Sequence, residues 1–206
     1  MRYTGPKNKV ARREGIDLGL KTPGSKSHAR LLKRLNIPPG QHGIKGRRRF
    51  SERGEQLREK QKLRFIFGIT ERQLKKYFNI ASRRPGNTAL HLLSLLERRL
   101  DNVVFRLGFA PTRAASRQLV SHGHILVNNK KVTIPSYQVE LGDEIGFSND
   151  KIIKVDYIDK ALNNKELNVP NWLEKKGIFG KVIDYPKSSD IEKLLNLRLI
   201  VDFYSR

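Results

Sequence analysis

Apolar residues along this chain recur with two different periods, and the change from one to the other falls near residue 124. In SERGEQLREKQKLRFIFG (51–68), Leu57, Leu63, Ile66 and Phe67 punctuate a charged segment that stops at Gly68. TERQLKKYFNIA (70–81) opens with a Thr70–Gln73 capping box and places Leu74, Tyr77, Phe78 and Ala81 at the spacing of one amphipathic helical face. NTALHLLSLLERRLDNVVFRLG (87–108) aligns Leu93, Leu96, Leu100, Val103, Val104 and Leu107, with Gly108 as a C-terminal stop. Its length predicts one helix shared by two cores. Thr112 then caps a short helix whose Ala115 and Leu119 share a face, and Gly123 ends it. Beyond that point the period is two. Ile125 and Val127 precede an Asn128-Asn129 turn, Val132 and Ile134 follow it, and Tyr137, Val139 and Leu141 alternate before Ile145 and Phe147. This pattern predicts helices packed on a small antiparallel sheet. The tail from 160 onward is mixed, with a helix expected near 188–196 and a final apolar run, LRLIVDFYSR.

Charge changes the picture upstream of residue 51, where periodic apolar residues are few. The chain of 206 residues carries 42 Lys and Arg against 20 Asp and Glu, a formal charge of +22. Residues 1–50 hold 14 of those cations and 2 of the acids, and no acid occurs from Leu18 to Ser51. Such a segment buries too little apolar surface to offset its ordering entropy, so it reads as a basic extension ordered against a partner. The partner of so basic a chain is a polyanion. Nucleic acid is favoured over a membrane, because no apolar stretch approaches the roughly 18 residues of a spanning helix and MRYTGPKNKVARREG lacks the core of a secretory signal. With no cysteine, and with His28, His42, His91, His122 and His124 not set among carboxylates, neither a disulfide nor a structural metal is expected.

A second acid-free window runs from Asn102 to Val139 and contains Arg106, Arg113, Arg117, Lys130 and Lys131. Surfaces that are merely solvated mix signs, since a one-sign patch repels itself. Arg113 and Arg117 are four apart on the predicted short helix, with Gln118, Ser121 and His122 near them. A helix N-terminus offers free N–H donors to a phosphate, and the hairpin lysines could meet the same backbone.

The stretch TRAASRQLVSHGHILVNNKKVTIPSYQVELGDEI resembles the RNA-binding fold named after ribosomal small-subunit protein four. RYTGPKNKVARREG, PPGQHG, REKQKLRFIFGITERQL, LLERRLDNVVFRLGFAPTRAASRQLV and LIVDFYSR extend the resemblance to that ribosomal protein family nearly end to end. The resemblance implies an α+β protein: a helical domain with an inserted RNA-binding module of helices packed on a small antiparallel sheet, plus a basic N-terminal extension. The implied boundaries are 1–45 for the extension, 46–90 for the first helical part, 91–159 for the module and 160–206 for a return to the helical domain. It implies a primary binder of small-subunit rRNA, without cofactor, that acts early in assembly and lies near the mRNA entrance among neighbouring ribosomal proteins. A cytoplasmic or organellar ribosome follows. Many bacterial members hold zinc through four N-terminal cysteines. Asn8 and Ala11 stand where two of these would fall, which places the chain with the zinc-free branch.

The expected RNA-binding residues are Arg2, Tyr3, Lys7, Lys9, Arg12 and Arg13 in the extension, and Arg47, Arg48 and Arg49 in KGRRRF. In the module they are Arg113, Arg117, Gln118, Ser121, His122, Lys130 and Lys131. No residue is expected to be catalytic. RRLD (98–101) matches the Arg-Leu-Asp motif that supplies the catalytic aspartate of pseudouridine synthases, but Asp101 reads as a mid-helix partner of Arg98. Tyr77, Phe78, Phe105 and Trp172 read as core aromatics.

Overall fold

A computed structural model describes residues 3–46, 49–163, 168–187 and 195–205. In chain order the first helices are α1 (Lys7–Glu14), α2 (Lys26–Leu32), α3 (Glu52–Ile66) and α4 (Glu71–Ser82), with a 3-10 turn at Gly43–Lys45. There follow α5 (Thr88–Glu97), α6 (Leu100–Arg106), α7 (Arg113–Ser121), β1 (Ile125–Val127), β2 (Lys130–Lys131) and β3 (Glu144–Phe147). The remainder is α8 (Asp150–Ile153), α9 (Asp156–Leu162), β4 (Leu173–Lys176), β5 (Phe179–Val182) and α10 (Leu197–Tyr204). The chain divides into two compact units, Met1–Ala89 with Glu192–Arg206, and Leu90–Ile191. The boundary lies in the first turn of α5.

The first unit is helical. Thr70 and Gln73 close the capping box of α4, and Leu74, Phe78 and Ala81 are buried as their spacing predicts. Leu63, Ile66 and Phe67 of the α3 segment are buried, whereas Leu57 is exposed. The last apolar run forms α10, which packs on α3. Tyr204 stacks on Phe78 with centroids 4.7 Å apart, and its hydroxyl donates to Glu71 Oε1 at 2.7 Å. Lys60 Nζ, nearly buried, donates to the same oxygen at 2.8 Å. Burial alone would push the Glu71 carboxyl up, but the Lys60 and Tyr204 hydrogen bonds and the charges of Lys60 and Arg64 outweigh it and leave it below its ordinary value. Burial, then Glu71, pushes the Tyr204 phenol up.

The basic extension departs from expectation. It carries α1 and α2, and Val10, Ala11, Leu18 and Leu31 are each nearly inaccessible. Its few apolar residues suffice because they join the core of a larger unit: Arg58 of α3 reaches Glu14 at 3.1 Å and the Arg13 carbonyl, and Tyr3 meets the Phe65 ring edge-on at 5.3 Å.

The second unit is the α+β part. Its sheet, within the described residues, has the order β2-β1-β3-β5-β4 with every pairing antiparallel. Its core gathers Leu100, Val103, Val104 and Leu107 of the α6 segment, Leu119 and Val120 of α7, Ile125, Val127 and Ile145 of the sheet, and Trp172. Leu107 lies against Gly180 of β5, where an added Cβ would sit 2.4 Å from a leucine methyl carbon.

Three expectations fail here. The single long helix is two, because Arg99 is extended and the backbone on either side of it pairs with the segment that follows the hairpin: Val139 N–H donates to Arg98 O at 3.0 Å and Leu100 N–H to Tyr137 O at 2.8 Å. For the same reason the alternation through Tyr137, Val139 and Leu141 is no strand, only an isolated bridge between Arg99 and Gln138, and Ile134 is exposed. The tail does not return to the helical unit at 160; β4 and β5 complete the module's sheet, so the return begins some thirty residues later. Residues 188–194, on which the expected 188–196 helix falls, lie outside the described residues. Asn196 caps α10.

Candidate nucleic-acid interface

In the second unit the candidate surface is built on α7. Thr112 Oγ1 accepts the Ala115 N–H, Ser116 and Leu119 face inward, and Gly123 at φ 71° ends the turn as the sequence predicts. Asn128 and Asn129 then take φ of 49° and 61°, the paired left-handed conformation of a tight hairpin. Asn128 is tied by its side chain: Nδ2 donates to Asp143 Oδ1 at 2.8 Å, and Oδ1 accepts from Glu144 N–H at 2.9 Å. The hairpin and the helix end are neighbours, because the Lys131 side chain crosses Gly123, with Cε 2.1 Å from where a Cβ would stand. Gln118, Ser121, His122, Lys130 and Lys131 are all exposed on this stretch.

Arg113 and Arg117 are a correction. They are not isolated charges on an open face but the outer members of a buried network. Asp101, in the first turn of α6 and not mid-helix, receives both arms of Arg99, at 3.0 and 2.7 Å, and Arg117 approaches its Oδ2 at 3.7 Å. Arg99 is 0% exposed, so it, not Arg98, is the partner of Asp101. Arg98 instead donates to Val139 O and lies over the Tyr185 ring at 4.7 Å. Glu97, buried, takes both arms of Arg106 at 3.1 and 2.7 Å and one hydrogen of the Asn102 amide at 2.6 Å. Asn102 Oδ1 in turn accepts from Arg113 Nε at 2.8 Å, and the Arg113 guanidinium covers the Phe105 ring at 4.5 Å. The two arginines are therefore half-buried and held in fixed orientation. Sequence reasoning missed this because the partners stand at the edge of the acid-free window, Asp101 just before it and Asn102 as its first residue, both on the preceding helix α6 and more than ten positions from the arginines they hold.

In the first unit Arg12 is anchored by hydrogen bonds to Ile37 O and Pro38 O, at 2.9 and 3.1 Å. It lines, with Asn8, Arg30, Lys33 and Arg34, a pocket of about 410 Å³. A second pocket of about 240 Å³ is lined by Lys9, Arg13, Pro38, Pro39, Gly46, Phe50 and Arg58. No acid lines either pocket, and the two acids of the extension are engaged elsewhere, Glu14 by Arg58 and Asp17 by His28 at 2.6 Å, so both pockets are left positive. Tyr3 and Arg49 are exposed and Lys7 half-exposed, while Arg2, Arg47 and Arg48 lie outside the described residues. Sequence reasoning did not single out Arg30, Lys33, Arg34 or Arg58, although the acid-free run from Leu18 to Ser51 contains the first three.

Among the described residues no group of three or more His, Cys, Asp or Glu is placed to hold a metal ion. His122 and His124 have ring centroids 6.0 Å apart. No helix among them is long and apolar enough to cross a membrane.

A helical unit rich in basic pockets, joined to a unit in which a short basic helix precedes a tight hairpin, matches two family models in the same order. The Ribosomal protein S4/S9 N-terminal domain matches residues 2–97, and the S4 domain matches residues 98–145. The small ribosomal subunit protein uS4 of Herpetosiphon aurantiacus is 50% identical over 211 residues, covering 100% of this chain and 99% of its own. That of Aquifex aeolicus is 49% identical over 213 residues, with 100% and 99% covered, and that of Sulfurihydrogenibium sp. is 47% identical over 209, with 99% and 98%. The chain belongs to the uS4 family of small ribosomal subunit proteins.

Proposed function

We propose that this chain binds small-subunit rRNA directly, as a structural component of the subunit and without catalysing a reaction. The end-to-end likeness to uS4 relatives carries the reading. The arrangement of charge supports it, since Asp101, the one candidate for catalysis, is buried and engaged by Arg99. In the module, Gln118, Ser121, His122, Lys130 and Lys131 would meet phosphates directly, and Arg113 and Arg117 would present guanidinium edges already oriented from behind. In the first unit Tyr3, Lys7, Lys9, Arg12, Arg13 and Arg49 would act with Arg30, Lys33 and Arg34. Arg2, Arg47 and Arg48 are assigned by charge alone. Contacts of this kind position a protein on folded RNA, and the shape of the fold supplies selectivity, because A-form helices hide their base edges in a narrow major groove.

The chain would join rRNA early in assembly, near the mRNA entrance and beside other small-subunit proteins, in the compartment where ribosomes work. Its metal-free character is part of the same reading, because cysteine ligands are absent from the sequence. The test is equilibrium binding of the full chain to small-subunit rRNA across a salt series, with and without a chelator, beside sedimentation of a lysate. Affinity that falls steeply with salt, chelator-independence and one copy per small subunit are expected. Trace, sub-stoichiometric occupancy of the subunit would overturn the structural role.

A further inference from the structure

We infer that the outer face of α4 is a further RNA-contact surface, one that seats the phosphodiester backbone of an RNA strand along the helix. The inference rests on the rRNA-binding reading above but uses none of the residues assigned there. Arg72, Lys75, Lys76, Asn79, Ile80 and Arg83 share one helical face through i,i+3 and i,i+4 separations, and together they line an open depression of about 410 Å³. All but Ile80 are exposed. No ion pair or side-chain hydrogen bond joins the four cations to another described residue. The acid at the start of the helix, Glu71, is turned to Lys60 and Tyr204 and so does not neutralise them.

Left to solvent, such a face opposes the helix that bears it. Arg72 stands in the first turn, where the helix dipole already carries positive partial charge, and it has Lys75 and Lys76 as like-charged neighbours at i+3 and i+4. Each such juxtaposition destabilises the helix slightly, and an anion seated between the cations relieves it. From Arg72 to Arg83 the stripe runs about 16 Å along the axis at 1.5 Å per residue, a line of cations and not a point, which suits a chain of phosphates better than one small anion. Ile80 and the lysine stems give the depression an apolar floor beneath charged tips, a surface for the ribose between two phosphates. An acidic protein is the less suitable occupant. Protein interfaces centre on aromatic and large apolar anchors and are depleted in lysine, whereas this face has two lysines and only Ile80.

The experiment uses the full chain in two arms. In the first, the variant Arg72→Gln, Lys75→Gln, Lys76→Gln, Arg83→Gln is compared with wild type for binding to small-subunit rRNA over a salt series. Removal of four phosphate contacts should flatten the plot of log affinity against log salt by roughly 2 to 4 units, with a thermal transition no lower than that of wild type, because the side chains are exposed and their mutual repulsion is removed. In the second arm, wild-type Lys75 and Lys76 are tested for protection from amine acetylation, in complex with naked rRNA and in intact small subunits. Protection by naked rRNA is expected and needs no variant to fold. Equal salt slopes, or lysines protected only in intact subunits, where a protein would be the occupant, would overturn the inference while leaving rRNA binding standing. Wild type that showed no salt-dependent affinity for the rRNA would instead bring down the broader reading.

Discussion

Single side chains decide the character of the module's basic helix. Because Arg99 is fully buried and both its arms meet Asp101, the change Asp101→Ala leaves an uncompensated charge in the interior and should cost about 3–5 kcal/mol in urea unfolding. A loss below about 1 kcal/mol would mean that water or another acid replaces the partner. The same network implies that Arg113→Ala with Arg117→Ala lowers stability as well as charge, since Arg113 gives up both Asn102 and the Phe105 ring, so any loss of RNA affinity must be read beside a melt. Glu71 gives a pH dependence. Its folded pKa is lowered, so its contribution is present above the ordinary value of 4.5 and is lost as pH falls through the folded one. For Tyr204 the shift is upward, so its contribution is complete below 10.0 and lost as pH rises beyond. Urea midpoints of wild type and Glu71→Gln, measured from pH 7 down to 3, should converge on the acid side. Parallel curves would show that Glu71 is not the titrating group.

At the scale of elements, the turn between α7 and β1 and the hairpin after it depend on left-handed residues. Gly123→Ala adds a Cβ at φ 71° and drives it into Lys131, so it should destabilise by about 1–2 kcal/mol and move the Lys131 ammonium. Asn129→Gly meets no such obstacle. At φ 61° glycine sits without strain, and the variant should melt within about 1 kcal/mol of wild type. Thermal melts of the two variants side by side check the contrast, which disappears if the hairpin tolerates a slipped register. The α5–α6 break belongs to this scale too. Apolar spacing runs through it uninterrupted, yet the backbone turns aside because residues 135–139 supply the hydrogen bonds a continuous helix would have made internally.

For the whole molecule, each unit has its own core, and the single tryptophan, Trp172, is buried in the second. Ile200 of α10 is buried in the first unit. Ile200→Ala should therefore lower the stability of the helical unit by about 2–5 kcal/mol, seen as an earlier loss of helical circular dichroism, while the Trp172 fluorescence transition stays in place. A joint shift of both signals would show that the units unfold together. The order of elements explains why α10 matters: the chain leaves the helical unit at α5, builds the whole sheet, and closes the first core with its last eight helical residues.

Sequence alone determined what depends on neighbours a few positions apart. The Thr70 and Thr112 caps, the glycine stops, the two left-handed asparagines and the buried faces of α4 and α6 all follow from local sterics and from periods of 3.6 and 2, and all are present in the structure. The positive character of the surface was equally legible, since charge is additive along the chain. Tertiary structure decided which of those charges are available. Arg113 is separated from Asn102 by eleven positions, Arg12 from Ile37 by twenty-five, and Arg58 from Glu14 by forty-four; no period connects such pairs. It also drew β4 and β5 into the sheet and gave α1 and α2 their core, because burial depends on surfaces contributed by distant segments, and a short apolar run acquires meaning only from what packs against it.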